Sequence, residues 1–245
     1  MNVDNLPSLT PLPREFFSSR DALALAPALL GCLLVRPRDG IVARITETEA
    51  YMGQGDPACH ANQGRCTPRT RVMFSPGGVY YVYFTYGMYH CLNIVSGAEG
   101  SGEAVLIRAV EILQGRDVAS MRRFSMPYQM LSAARKKALA NGPGKLCIAL
   151  GVDKSLYGVP CDDPSLFVAK GKVSRPKRST QGLASGWTMR GRQPFFRGVF
   201  SFDPFPGRKA GEGVFSIGLF PPERKKVSGW QENCSRKGRE RRKTG

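Results

Sequence analysis

The sequence predicts an α/β fold of the α+β kind, with an antiparallel or mixed sheet of neighbouring strands and helices beside it. Three observations predict it. Between Ile41 and Val110, runs rich in β-branched and aromatic residues follow one another with short, Gly-containing turns. Helical patterns lie before and after that stretch. With 245 residues, 42% of them hydrophobic, the chain can bury one substantial core, and it shows no internal repeat and no second domain.

The elements follow in order. Residues 1–17 are polar and Pro-rich, an extended arm expected to pack through Phe16 and Phe17. Asp21 or Ser19 can cap a helix over Ala22–Leu30 that Gly31 ends, and Pro27 inside it predicts a kink or an earlier stop. Cys32–Pro37 reads as a strand and Arg38-Asp39-Gly40 as a turn. The strand Ile41–Tyr51 follows, with Ile41, Ala43, Ile45, Glu47, Glu49 and Tyr51 expected on one face. That face starts apolar and ends in two carboxylates and a tyrosine, as expected of a strand that leaves the core to wall a pocket. After a Gly-rich loop carrying His60, the strand Val79–Tyr86 points Tyr81 and Tyr83 one way and Tyr80, Val82, Phe84 and Tyr86 the other. Cys91–Val95 and Ala104–Val110 are further strands, and Arg116–Phe124 and Gln129–Ala140 are expected helices. Asn141-Gly142-Pro143-Gly144-Lys145 then opens another helix in the manner of a phosphate cradle.

The charge is uneven. Of a net +17, the last 75 residues hold 18 Lys/Arg against 5 Asp/Glu, so the chain expects a polyanion, with its basic surface at the C-terminal end. That segment, with 12 glycines and 6 prolines, carries no assigned element, and residues 223–245 read as a disordered basic tail after a domain spanning 1–222. No apolar run is long enough for a membrane span, and no secretory signal is evident. Seven scattered cysteines without CxxC spacing fit reduced thiols and no structural zinc site. A cytoplasmic, nucleoid-associated protein without a cofactor or metal is expected.

The chemistry gathers in Ile41–Asn93. Aromatic side chains around one carboxylate can stack a flat, cationic or electron-poor ring while the carboxylate activates a water beside it. Glu49, Tyr51, His60, Tyr83 and Tyr86 supply that set, which suits hydrolysis of an N-glycosidic bond in nucleic acid. The base must first leave the duplex, and Tyr86, beside Gly87, Met88 and Tyr89, is placed to fill the vacated stack. Arg65, Arg69 and Arg71 offer donors for phosphate. No lysine falls within the stretch, so a Schiff-base mechanism has no support.

Glu47-Thr48-Glu49-Ala50-Tyr51-Met52-Gly53, the spacing to His60, Thr67-Pro68-Arg69, Met73-Phe74, Tyr81-Val82-Tyr83, Tyr86-Gly87-Met88-Tyr89, Cys91-Leu92-Asn93-Ile94, Leu106-Ile107-Arg108-Ala109 and Gly142-Pro143-Gly144-Lys145-Leu146 together resemble the alkyladenine (3-methylpurine) DNA glycosylase family over about residues 12–155. The resemblance implies one compact domain around a curved, mostly antiparallel sheet. It also implies a monofunctional, cofactor-free enzyme that excises alkylated or deaminated purines (3-methyladenine, 7-methylguanine, hypoxanthine) from double-stranded DNA, acting as a monomer. By the same resemblance Glu49 is the general base and Arg108 helps position the water. Tyr51, His60 and Tyr83 sandwich the flipped base, Asn93 discriminates against guanine, Tyr86 with Met88 and Tyr89 forms the wedge, and Lys145 contacts phosphate. The family's closing C-terminal strand survives here only in fragments such as Arg192-Gln193-Pro194-Phe195-Phe196.

Each residue has a plainer reading. A lone tyrosine on a strand usually packs, and a lone loop histidine usually holds the loop. Spacing alone does not separate Glu47 from Glu49. A non-catalytic basic nucleic-acid-binding protein, or an inactive relative with a disrupted C-terminal third, are the alternatives.

Overall fold

The computed structural model describes residues 9–171 and 198–201. Helices α1 (Glu15–Ser18) and α2 (Ala22–Leu29) lead into strands β1 (Leu33–Arg36), β2 (Ile41–Tyr51), β3 (Tyr80–Thr85), β4 (Tyr89–Ser96) and β5 (Glu103–Gln114). Helices α3 (Arg116–Phe124), α4 (Ala133–Lys137) and α5 (Pro143–Leu150) and short strands β6 (Phe167–Ala169) and β7 (Val199–Ser201) follow. The strands pair in the order β3-β4-β5-β2-β1-β6, with β7 also on β2, and every pair is antiparallel. The chain is thus mixed α/β around one antiparallel sheet flanked by helices, as expected.

Local chemistry explains the helices. The Asp21 carboxylate accepts the Ala24 N–H at 2.7 Å, capping α2, and Pro27 is accommodated inside a helix that ends at Leu29, close to the expected stop. The expected helix over Gln129–Ala140 is corrected: a 3₁₀ turn at Tyr128–Met130 and α4 replace it. Leu131 is extended, and the Ser132 hydroxyl accepts the Arg135 N–H, so Ser132 starts a new helix instead of continuing one.

One face of the sheet holds the main core. Leu25, Ala26 and Leu29 of α2 and Leu146, Cys147 and Leu150 of α5 pack there against Ile41, Ile45, Leu92, Ile94, Val105 and Ile107. Each fully buried leucine in this layer stabilises the fold by about 2 kcal/mol. The opposite face carries a smaller cluster in which Cys59, Ala61, Val72 and Met73 of the Gly-rich loop region meet Tyr81, Val95 and Ala104.

Strand β2 does not keep one phase. Ile45 pairs with Val110 but Glu47 with Ala109, leaving Thr46 extra, and Thr48 pairs with Ile107, leaving Arg108 extra. These paired bulges turn the side chains over. Before them Ile41, Ala43 and Ile45 enter the core; beyond them Ala50 does, and the Thr48 hydroxyl, buried on that side, donates to the Ala26 carbonyl at 2.9 Å. The expectation that Ile41, Ala43, Ile45, Glu47, Glu49 and Tyr51 share a face is therefore corrected: the last three lie on the face away from α2. The edge of β2 changes partner at the same place, with β1 beside Ile41–Arg44 and β7 beside Glu47–Glu49.

Strand β7 lies in the segment after Gly171, to which the sequence assigns no element. The Arg192–Phe196 fragment and the basic tail 223–245 lie outside the described residues. Among the described residues, no helix is long and apolar enough to cross a membrane. Cys32, Cys59, Cys91, Cys147 and Cys161 are buried free thiols.

Candidate active site

The two bulges bring three charges onto one face. Arg108 donates from Nε to Glu47 Oε1 at 2.6 Å and from Nη1 to Glu49 Oε2 at 2.5 Å. Glu49 is 1% exposed, whereas Glu47 and Arg108 are about one-third exposed at 33% and 32%. Burial alone would pull the guanidinium pKa down, but bonding to both carboxylates outweighs it and holds Arg108 above its ordinary value. The group brings one guanidinium together with two carboxyl groups.

Two residues beyond Glu49, Tyr51 joins an aromatic cluster on the same face. Its members come from β2, β3 and the loop: His60 Nδ1 lies 2.8 Å from the Tyr81 hydroxyl, and the His60 ring meets the Tyr83 ring edge-on at 4.7 Å. Burial, then the charge of Arg69, lowers the His60 pKa, so the imidazole is neutral at pH 7. Burial pushes Tyr81 up to about 12 and Tyr83 higher still, the latter helped by Cys91 beside it. The polar tips of this cluster are therefore uncharged, as suits a pocket for a base. Asn93 lies buried beneath, opposite Tyr81 and Leu106, with Nδ2 donating to the Tyr81 carbonyl at 3.0 Å.

The loop that delivers His60 is held from within. Asp56 accepts the N–H groups of Met52 and Ala58 at 3.2 and 2.9 Å, and the Thr70 hydroxyl donates to the Arg65 carbonyl at 2.6 Å. Gly53 has φ +68°, and a Cβ there would stand 2.5 Å from the Ser101 carbonyl oxygen, so only glycine fits. Tyr157 reaches back to donate to the Pro68 carbonyl at 3.0 Å and to accept the Val72 N–H at 3.4 Å. A cavity of about 920 Å³ opens along the loop, lined by His60, Asn62, Arg65, Thr67 and Arg69 among others. Arg69, expected at the DNA backbone, lies over the Tyr83 ring with its guanidinium carbon 4.9 Å from the ring centroid, at the rim of the cluster.

The β3–β4 hairpin presents the wedge candidates unequally. Tyr86 and Gly87 have φ of 51° and 64°, and the Met88 N–H donates to the Thr85 carbonyl at 3.2 Å, a tight turn of the primed type. Tyr86 is thus a turn residue, not the last residue of the strand's second face. Tyr86 is 86% exposed and Met88 65%, but Tyr89 only 38%. Tyr89 leans on α5: a Cβ on Gly144 would come within 2.9 Å of its ring. Lys145, one residue on, donates to the Asn141 side chain at 2.9 Å on the exposed side.

The structure therefore brings Glu49 to Arg108, and gathers Tyr51, His60 and Tyr83 over Asn93. It adds Tyr81 and Tyr157, which sequence reasoning did not assign to the site. Tyr81 shares a face with Tyr83 at the two-residue spacing of a strand and was available from that signal; Tyr157, remote in sequence, had none. Among the described residues, no group of three or more His, Cys, Asp or Glu side chains could hold a metal ion.

Comparison with known proteins bears on this geometry. The family model described as methylpurine-DNA glycosylase matches residues 15–186. A protein of Clostridium botulinum (strain Alaska E43) is 51% identical over 145 residues, covering 58% of this chain and 71% of that one. One from Streptomyces avermitilis is 51% identical over 185 residues, 74% of this chain and 83% of that one. A third, from Clostridium beijerinckii, is 47% identical over 164 residues, 66% and 80%. All three carry the name "Putative 3-methyladenine DNA glycosylase".

Proposed function

The chain belongs to the methylpurine-DNA glycosylase family, and from that premise we propose that it excises 3-methyladenine and related damaged purines from double-stranded DNA. As a member it is a hydrolase of N-glycosidic bonds in base excision repair. In this reading the damaged nucleotide leaves the stack, Tyr86 and Met88 occupy the gap, and the base enters between Tyr51, His60 and Tyr83. Glu49 takes a proton from a water whose oxygen bonds to the sugar C1′. The C1′–N bond breaks, its electron pair leaves with the base, and Arg108 holds the Glu49 carboxylate in place. A base alkylated on a ring nitrogen departs readily because it is already cationic.

The observation that carries this reading is the Glu49–Arg108 bond at the foot of an uncharged aromatic cluster. A protein that only binds DNA gains nothing from burying a carboxylate on the face it turns to a polyanion. Asn93, buried beside the cluster, is the residue that rejects the exocyclic amino group of guanine, and Arg65, Arg69 and Lys145 are the phosphate contacts. Hypoxanthine and 7-methylguanine are substrates in the same reading, and the enzyme is monofunctional and acts as a monomer.

The test is incubation with duplexes holding one hypoxanthine or one 3-alkyladenine analogue, then alkali to cleave at abasic sites, with Glu49→Gln in parallel. Abasic sites from the wild type and none from the variant are expected. Tight DNA binding without abasic sites from the folded wild type would reject the enzymatic reading.

A further inference from the structure

The ion group on the pocket face contains one member that the proposed reaction leaves without a task. Glu47 makes as close a contact with Arg108 as Glu49 does, 2.6 Å against 2.5 Å, but on a different nitrogen. An arginine side chain has many rotamers, and a single bond to Nη1 would leave the guanidinium free to swing about it. The bond from Nε to Glu47 removes that freedom. The bulges set where this group lies: without them Glu47 and Glu49 would continue the phase of Ile45 toward the core, and with them Glu47, Glu49 and Arg108 meet on the face away from α2.

Charge adds a second argument. Glu49 and Arg108 alone would carry opposite formal charges that cancel. Glu47 restores a net charge of −1 to the group. Facing Glu49 are Arg108 from β5 and Glu47 from its own strand, while β7 brings Val199 and Ser201 alongside, neither of them charged.

Resting on the reading of Glu49 as the base, we infer that Glu47 is a positioning residue: it anchors Arg108 through Nε and offsets its charge, so that Glu49 is both held and able to accept a proton. Glu47 touches neither base nor water in this role. It acts through Arg108.

The experiment is single-turnover base release from a hypoxanthine duplex across pH 5–9 with wild type, Glu47→Gln, Glu47→Asp and Glu49→Gln. Gln keeps an acceptor for the Nε–H but removes the charge. Glu47→Gln should lose about 10-fold in the chemical rate with duplex affinity within about two-fold of wild type, and its acidic limb should move to lower pH by about half a unit or more. Glu47→Asp keeps the charge and should keep the wild-type acidic limb. A merely structural ion pair would change thermal stability without moving that limb. Wild-type rate and limb in Glu47→Gln would overturn the inference, as would Glu47→Asp shifting the limb as far as Glu47→Gln does. If Glu47→Gln does not fold, Glu47→Ala, which also removes the charge, decides through the same limb. Absence of base release from the wild type would instead remove the underlying reading, whereas active wild type with inactive Glu49→Gln and unaltered Glu47→Gln would remove this inference alone.

Discussion

Glu49 accepts a 2.5 Å hydrogen bond from Arg108, a residue fifty-nine positions later in the chain, and the pair lies on the face away from α2 because β2 and β5 each carry one extra residue at this level of the sheet. The carboxylate is buried to 1% exposure and Arg108 to about a third, so the charge of the one is compensated by the other away from bulk water. Glu49→Gln keeps the shape and an acceptor for Nη1 but removes the proton acceptor. Base release should fall by about 10²–10⁴-fold while binding to a lesion duplex stays within a few-fold, as read by single-turnover rates and by titration with labelled DNA. Undiminished base release from the variant would assign the proton to another group.

The legibility of this site in the sequence was uneven for physical reasons. Strand β2 is visible from Ile41 to Tyr51, because β-branched residues and alternation mark a strand. Its two faces are not, because one extra residue at Thr46 inverts every side chain after it and leaves no trace in composition. Glu49 and Tyr51 were still drawn to the pocket, since both lie beyond the bulge and stay on one side together. The helix expected over Gln129–Ala140 fails where Ser132 caps a new start. Strands β6 and β7, three residues each, owe their conformation to the neighbours they pair with. The contact of Tyr157 with Pro68 belongs to tertiary structure alone.

The hairpin tip separates activity from stability. Tyr86 holds φ +51° at 86% exposure, a conformation that costs a non-glycine residue about 1 kcal/mol, with almost nothing packed on its ring in return. Tyr86→Gly should keep or raise the melting temperature while base release under subsaturating enzyme falls about 10-fold or more. A variant of unchanged activity would show that the tip does not enter the duplex.

The loop carrying His60 and Arg69 is tied down by Tyr157, whose hydroxyl serves Pro68 and Val72. Tyr157→Phe keeps the ring against Tyr81 and loses both bonds, each worth about 1 kcal/mol. Stability in urea should drop by about 1–2 kcal/mol, and affinity for the lesion duplex should weaken more than the chemical step. Equal losses in both would place Tyr157 nearer to the reaction than to the loop.

Away from the site, Glu103 gives the fold a pH dependence. Burial pushes its carboxyl up to about 7, with the Ala22 N–H opposing the rise and the charge of Asp21 adding to it. The side chain accepts that N–H, at the start of α2, at 2.8 Å. An unfolded glutamate loses its proton near pH 4.3. Between that pH and about 7 the folded protein holds a proton that the unfolded chain has released, so stability declines as pH rises through this window and levels off above it. The contribution is fully present below the unfolded value and is about 2 kcal/mol at most after allowance for partial exposure. Urea midpoints at pH 5, 6, 7 and 8 should fall steadily for the wild type. In Glu103→Gln, which keeps an acceptor for the Ala22 N–H but cannot ionise, the same series should be flatter and the protein more stable than wild type at pH 8. Parallel curves for the two proteins would mean that other groups set the pH dependence.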